Sequence, residues 1–185
     1  PMLTCRCENP SQPVRVVLDT RLRIPMESRL VQTAREVPVI VFCYAPDKDK
    51  KAALEAAGVT VLEAKLLPKE ELDALFMQLG EFHLSKEELN GRHISLRNCL
   101  EQLGQRGLDS VLIEGGATIH AAALQENCCD LVQVYLAPKL FGGDGLSPIG
   151  GMGITAPDKA VLLSEPTITR LGQDLLLEYT RKEQF

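Results

Sequence analysis

Glu114 stands directly ahead of a glycine pair in Ile113-Glu114-Gly115-Gly116-Ala117-Thr118. Glycines at a strand-to-helix turn let the backbone approach a ligand closely, and the helix start presents unsatisfied N–H groups and a positive dipole end to a phosphate. A carboxylate at the carboxyl end of the strand would face a second, reacting ligand. The pattern suggests a cofactor phosphate and a substrate held side by side. A tight turn with no ligand fits the same residues. The dinucleotide fingerprint is absent, because no G-x-G-x-x-G follows any strand.

Few other residues offer chemistry of their own. His83 and His93 show no ligand spacing, and His120, inside the helix behind Gly116, reads as a solvent-facing histidine. Cys43 falls within a strand and Cys99 on the apolar face of a helix, where thiols act as small hydrophobes. Cys5-x-Cys7 and Cys128-Cys129 lack zinc-site spacing and a neighbouring His, so reduced thiols and no metal site are expected. Asp144 in Gly142-Gly143-Asp144-Gly145 has no further spaced acids and reads as a turn. The hydrolase elbow, the triphosphatase loop and the zinc-deaminase signature are all missing from the sequence. Chemistry carried by a cofactor, with the protein supplying binding and orientation, fits this inventory.

The elements that would position these groups follow from periodicity. Residues 110–113 form the apolar run before Glu114 and are expected to be a strand, with a helix over residues 117–125. Upstream, residues 14–18 (VRVVL), 37–44 and 59–62 read as buried strands. A helix opened by Pro46-Asp47 and ended by Gly58 joins the last two into a parallel βαβ unit. Stripes at i, i+3, i+4 and i+7 mark helices at Leu72, Leu75, Phe76 and Leu79 and at Leu96, Cys99, Leu100 and Leu103. Ser95 is the N-cap of the second helix, and Gly104 or Gly107 its stop. Residues 131–137 form a strand before a glycine-rich loop over 141–153. Residues 167–171 and 175–180 then read as an antiparallel hairpin. The expected class is a mixed α/β fold.

Composition sets the frame. The 185 residues, 45% hydrophobic and 24% charged, suit one globular domain with a substantial core. A net charge of −5 with dispersed Lys and Arg argues against a nucleic-acid surface. The longest apolar run, residues 37–45, is too short to span a membrane. With no signal peptide legible, a cytoplasmic location is expected, and Pro1 in place of an initiating Met suggests a trimmed N-terminus.

Four motifs occur together in order: Leu3-Thr4-x-Arg6, Val14 to Thr20 (VRVVLDT), Val111 to Gly116 (VLIEGG), and Leu131-x-x-x-Tyr135-Leu136-Ala137-Pro138-Lys139-Leu140-Phe141-Gly142-Gly143. In this combination the chain resembles the reductase domain of the bacterial bifunctional riboflavin-biosynthesis deaminase/reductase. The resemblance covers nearly the whole chain, apart from residues 66–90. It implies a dihydrofolate-reductase-like fold, with a mainly parallel mixed sheet flanked by helices and a C-terminal antiparallel hairpin. It also implies NADPH-dependent reduction of 5-amino-6-(5-phosphoribosylamino)uracil, a phosphorylated pyrimidine, to its ribityl form, with hydride delivered to the ribose C1′ of an open-chain imine.

Residue by residue, the resemblance places Leu3, Arg6 and Glu114 against the substrate. Glu114 is a hydrogen-bond anchor and the candidate catalytic residue. Thr20, Gly116, Ala117, Thr118, Ile119, His120, Ala121 and Ala122 fall on the cofactor side. Arg21 and Arg23 are charge-based candidates for the cofactor 2′-phosphate, or simply a solvated basic loop. The family's domain begins earlier, with a strand ending in Ser-Leu-Asp-Gly, so residues 1–185 are expected to be a single reductase domain lacking its first strand or strands and the preceding deaminase domain. A homodimer or homotetramer is the family's usual assembly. A related diaminopyrimidinone reductase and a non-catalytic nucleotide-binding or assembly fragment are the alternatives.

Overall fold

The computed structural model describes residues 2–68, 93–143, 145–152, 154 and 156–181. The helix expected around Leu72 to Leu79, His83, the stretch up to Arg92, and Asp144 lie outside the described residues. The chain divides into two compact units, with residues 109–181 in the second and the other described residues in the first.

The first unit is built on a parallel sheet in the order β1 (Arg15–Leu18), β2 (Val39–Cys43), β3 (Thr60–Glu63). The central strand explains its own sequence. Val39, Val41 and Cys43 face one apolar cluster with Leu22, Ile24, Val31 and Leu54, while Ile40 and Phe42 face another with Ile94, Cys99 and Leu103. A strand buried on both faces has no polar side, hence the unbroken run VIVFC. Helix α1 (Arg29–Gln32) lies between β1 and β2 in sequence, and α2 (Lys48–Ala56) between β2 and β3. Asp47 caps α2 by accepting from the Lys50 N–H at 2.9 Å, and Gly58 ends the turn at φ 96°, the left-handed region that favours glycine. Helix α3 (Leu96–Gly104) is capped by Ser95, which accepts from the Asn98 N–H at 3.2 Å. It buries Leu96, Cys99 and Leu103, the stripe visible in the sequence.

The second unit holds α4 (Ala117–Gln125) and an antiparallel sheet in the order β4 (Leu131–Leu136), β6 (Asp174–Thr180), β5 (Thr167–Leu171). The expected hairpin forms, closed at Gly172 with φ 66°. Apolar side chains of β4 and β5 stay wet, with Leu131, Val134, Tyr135, Leu136, Ile168 and Leu171 all exposed, whereas Leu175, Leu176 and Leu177 of β6 are half-buried. The described strands thus form two three-stranded sheets, one parallel and one antiparallel.

One expected strand is corrected. Residues 110–113 carry no strand pairing, and Leu112 is 74% exposed. A strand exists through its ladder of interstrand hydrogen bonds, and residues 110–113 are in none of the ladders of the described strands. An apolar run fixes a preference for extended backbone but not a partner. Among the described residues, no helix is long and apolar enough to cross a membrane.

Candidate functional site

In the second unit the chain turns at Gly116, two residues past Glu114, with a φ of 78° in the left-handed region. Gly116 is the N-cap of α4 and has no side chain with which to cap it. Ile119 and His120 both donate to the Gly116 carbonyl, at 3.0 and 3.2 Å. The N–H groups of Ala117 and Thr118 precede the first intrahelical bond, so they point out of the helix start as donors. Glu114 and Thr118 are exposed, Ala117, Ile119 and Ala122 are half-buried, and the Ala121 methyl faces the interior. The turn therefore offers what the sequence suggested: a carboxylate in water beside unsatisfied backbone donors.

His120 departs from the solvent-facing reading. Its Nδ1 lies 2.8 Å from the Pro148 carbonyl oxygen and its Nε2 3.2 Å from that of Ile113. The ring joins the segment before Glu114 to the loop around Pro148. A neutral imidazole donates through one nitrogen only, so the two carbonyls compete for its proton. Sequence spacing gave no hint of this, because Pro148 is 28 residues away.

The same loop closes over the helix start. Gly150 donates its N–H to the Ala117 carbonyl at 2.9 Å, and a methyl group at Gly150 would meet that oxygen at 3.2 Å and its carbon at 3.3 Å. Backbone atoms cannot swing aside as a long side chain can. Gly150→Ala is expected to lower stability by about 1–2 kcal/mol, read as a fall in the urea midpoint with unchanged slope.

In the first unit the carboxyl end of β1 opens into a cleft of ≈ 720 Å³. Ligands of open α/β sheets collect at this end of the strands. Val17 and Leu18 supply apolar wall, while Arg23, Ser28 and Arg29 supply polar edge. Asp19 shapes the rim: its Oδ2 accepts from the Ile24 N–H at 2.7 Å, and its carbonyl accepts from the Leu22 N–H at 2.9 Å. Burial of Leu22 and Ile24 then leaves Arg21 and Arg23 outside. Arg23 lines the cleft and Arg21 does not. Arg29, passed over in the sequence, joins it because α1 brings it there. Thr20 is half-buried, with its carbonyl accepting from the Tyr44 N–H at 3.0 Å.

Met2 also lines this cleft. The next residue, Leu3, adopts φ 51°, a conformation in which an L side chain is strained. Leu3 is half-buried and Arg6 exposed. Leu3, Arg6 and Thr20 belong to the first unit, and Glu114 with residues 116–122 to the second.

A family model described as the RibD C-terminal domain matches residues 1–177. The chain belongs to that family. Riboflavin biosynthesis protein RibD of Actinobacillus pleuropneumoniae is 34% identical over 180 residues, covering 97% of this chain. The chain spans only 42% of that relative's length. The 2,5-diamino-6-ribosylamino-4(3H)-pyrimidinone 5′-phosphate reductase of Methanothermobacter thermautotrophicus is 28% identical over 171 residues, covering 92% of this chain and 67% of that protein. Among solved structures, Acinetobacter baumannii RibD, form 2, aligns with a TM-score of 0.71 at 24% identity, over 98% of this chain and 43% of that one. These neighbours establish the α/β, dihydrofolate-reductase-like fold of the RibD C-terminal domain family for this chain.

Proposed function

We propose that this chain is the reductase portion of a riboflavin-pathway enzyme, using NADPH to reduce 5-amino-6-(5-phosphoribosylamino)uracil to its ribityl form. The carrying observation is the Glu114–Gly116 turn: an exposed carboxylate directly beside a helix start whose donors are uncapped, with Gly150 bonded to the Ala117 carbonyl. The residues fit a phosphorylated nicotinamide cofactor. Ala117 and Thr118 would hold a phosphate through backbone N–H groups, with the Thr118 hydroxyl as a further donor. The β1 cleft, with its apolar wall and flanking guanidiniums, suits an adenosine end and its 2′-phosphate.

When bound, the nicotinamide supplies the hydride. The protein's contribution is to bind and orient. Glu114 would anchor polar groups of the substrate by accepting their hydrogen bonds and would serve as a proton relay. Arg6 would clamp the substrate phosphate, and Leu3 would pack against it. The exposed apolar side chains of β4 and β5 support a homodimer or homotetramer, and the 42% coverage of the Actinobacillus relative supports a deaminase region elsewhere in a longer protein.

Titration of the purified chain with NADPH and NADH, by calorimetry, tests the cofactor. Preferential binding of NADPH is expected, and Arg23→Ala is expected to erode that preference roughly tenfold, as loss of one charge-assisted contact of about 1.4 kcal/mol would. Equal affinity for both cofactors would overturn the 2′-phosphate assignment. A second reading, reduction of the diaminopyrimidinone before deamination, is favoured by the Methanothermobacter relative. Turnover of the two pyrimidines side by side separates the readings, and cofactor binding without turnover of either would point to a non-catalytic fragment.

A further inference from the structure

None of the six cysteines is in a disulfide among the described residues, and two of them differ from the rest. The Sγ atoms of Cys5 and Cys7 are 3.1 Å apart. A disulfide bond measures about 2.05 Å, so closure asks for a movement of about 1 Å. Gln12 holds Cys5 from both sides: the Cys5 N–H donates to Gln12 Oε1 at 3.1 Å, and Gln12 Nε2 donates to the Cys5 carbonyl at 3.0 Å. The other thiols lack this arrangement. Cys43 and Cys99 are buried in the core, and the adjacent Cys128 and Cys129 donate to different carbonyls, those of Glu126 and Leu131.

We propose that Cys5 and Cys7 are a reversible dithiol/disulfide couple, held ready by the Gln12 clamp, that exchanges with small-molecule disulfides of the glutathione class. The Cys5 thiolate attacks one sulfur of oxidised glutathione. A mixed disulfide forms on Cys5, the glutathione S–S bond breaks, and one glutathione thiolate leaves. Cys7, on losing its proton, attacks Cys5 Sγ; the Cys5–Cys7 bond forms and the second glutathione leaves. The two protein thiols together give up two electrons and two protons, and the small disulfide is reduced to two thiols.

The order of attack agrees with the local electrostatics. Hydrogen bonds from the Cys7 backbone N–H and then from its side chain hold the Cys5 thiol below its ordinary value. The same side-chain contact, with some burial, pushes Cys7 up. Cys5 is therefore the readier thiolate, and Cys7 closes the bond. Exposure of Cys7 and partial exposure of Cys5 give a small disulfide access. The ring encloses Arg6, but the couple stands whether or not Arg6 contacts a substrate.

The test equilibrates the full chain across a series of reduced-to-oxidised glutathione ratios, followed by acid quenching, alkylation and mass mapping. The expected result is loss of two of the six alkylatable thiols, with the peptides on either side of Arg6 still joined after tryptic cleavage and released by dithiothreitol. Cys5→Ser and Cys7→Ser are each expected to stop at one glutathione adduct on the remaining cysteine. Gln12→Ala is expected to shift the midpoint several-fold toward more oxidising ratios. Six alkylatable thiols throughout, or separate glutathione adducts on Cys5 and Cys7 with no link between them, would overturn the couple. An unmoved midpoint in Gln12→Ala would overturn the clamp.

Discussion

Replacing Glu114 by glutamine is expected to lower turnover of the pyrimidine roughly 10²-fold while leaving NADPH affinity within about twofold of the wild type. The side chain is exposed and makes no hydrogen bond among the described residues, so nothing in the fold depends on its charge. Glutamine keeps the shape and one acceptor but loses the anionic oxygen, and charge-assisted hydrogen bonds are about twice as strong as neutral ones. Under the proposed function, cofactor phosphate would instead be held by the backbone donors of Ala117 and Thr118, which the substitution does not touch. Steady-state turnover and calorimetric NADPH binding on the same preparation check both halves. Equal loss of turnover and NADPH binding in a folded variant would remove Glu114 from the substrate side.

A change in stability of comparable weight is expected at Arg15. This residue sits in β1, 1% exposed, and its guanidinium reaches across to the end of α1. Nη1 donates to Thr33 Oγ1 at 2.8 Å, and Nη2 donates to the carbonyls of Thr33 and Val37. Its Nε has no partner among the described residues, and burial pushes the guanidinium below its ordinary value, with Glu36 opposing. Two effects therefore compete in Arg15→Met. Removing a poorly solvated charge relieves a penalty, whereas the Val37 carbonyl is left without this donor.

Three hydrogen bonds from a charged group outweigh the relief, and Arg15→Met is expected to destabilise by about 3 kcal/mol. Arg15→Lys is expected to recover only part of this, because a single ammonium cannot span the three acceptors as the planar guanidinium does. Urea unfolding of both variants gives the answer, and a variant more stable than wild type would mean that desolvation dominates. The effect should also reach the cleft, since the segment Arg15 ties down carries α1, whose Ser28 and Arg29 line it.

Several local signals in the sequence agree with the structure, though the apolar run at residues 110–113 does not. Asp47 and Ser95 accept from the N–H three residues ahead as caps do, Gly58 and Gly172 take the positive φ their turns need, and the stripe Leu96, Cys99, Leu103 is buried. Continuous apolarity in β2 announced a strand covered on both faces, because no polar residue could sit there without an unsatisfied group. The glycine pair marked a turn into a helix, and Gly116 takes φ 78° there, a conformation few other residues adopt without strain.

What the sequence by itself determined is therefore the set of segments with their own reasons to be helix, strand or turn, and the pairing of Glu114 with an uncapped helix. Only the tertiary structure decided which distant groups meet. It left residues 110–113 without a ladder, put Arg29 rather than Arg21 on the cleft with Arg23, folded Gly150 onto Ala117, and turned His120 from solvent toward two carbonyls. The physical reason is one of range. Caps, periodicity and glycine φ act within a turn or two of chain, whereas hydrogen bonds between Arg15 and Val37, or His120 and Pro148, exist only once packing has brought together residues with no common pattern.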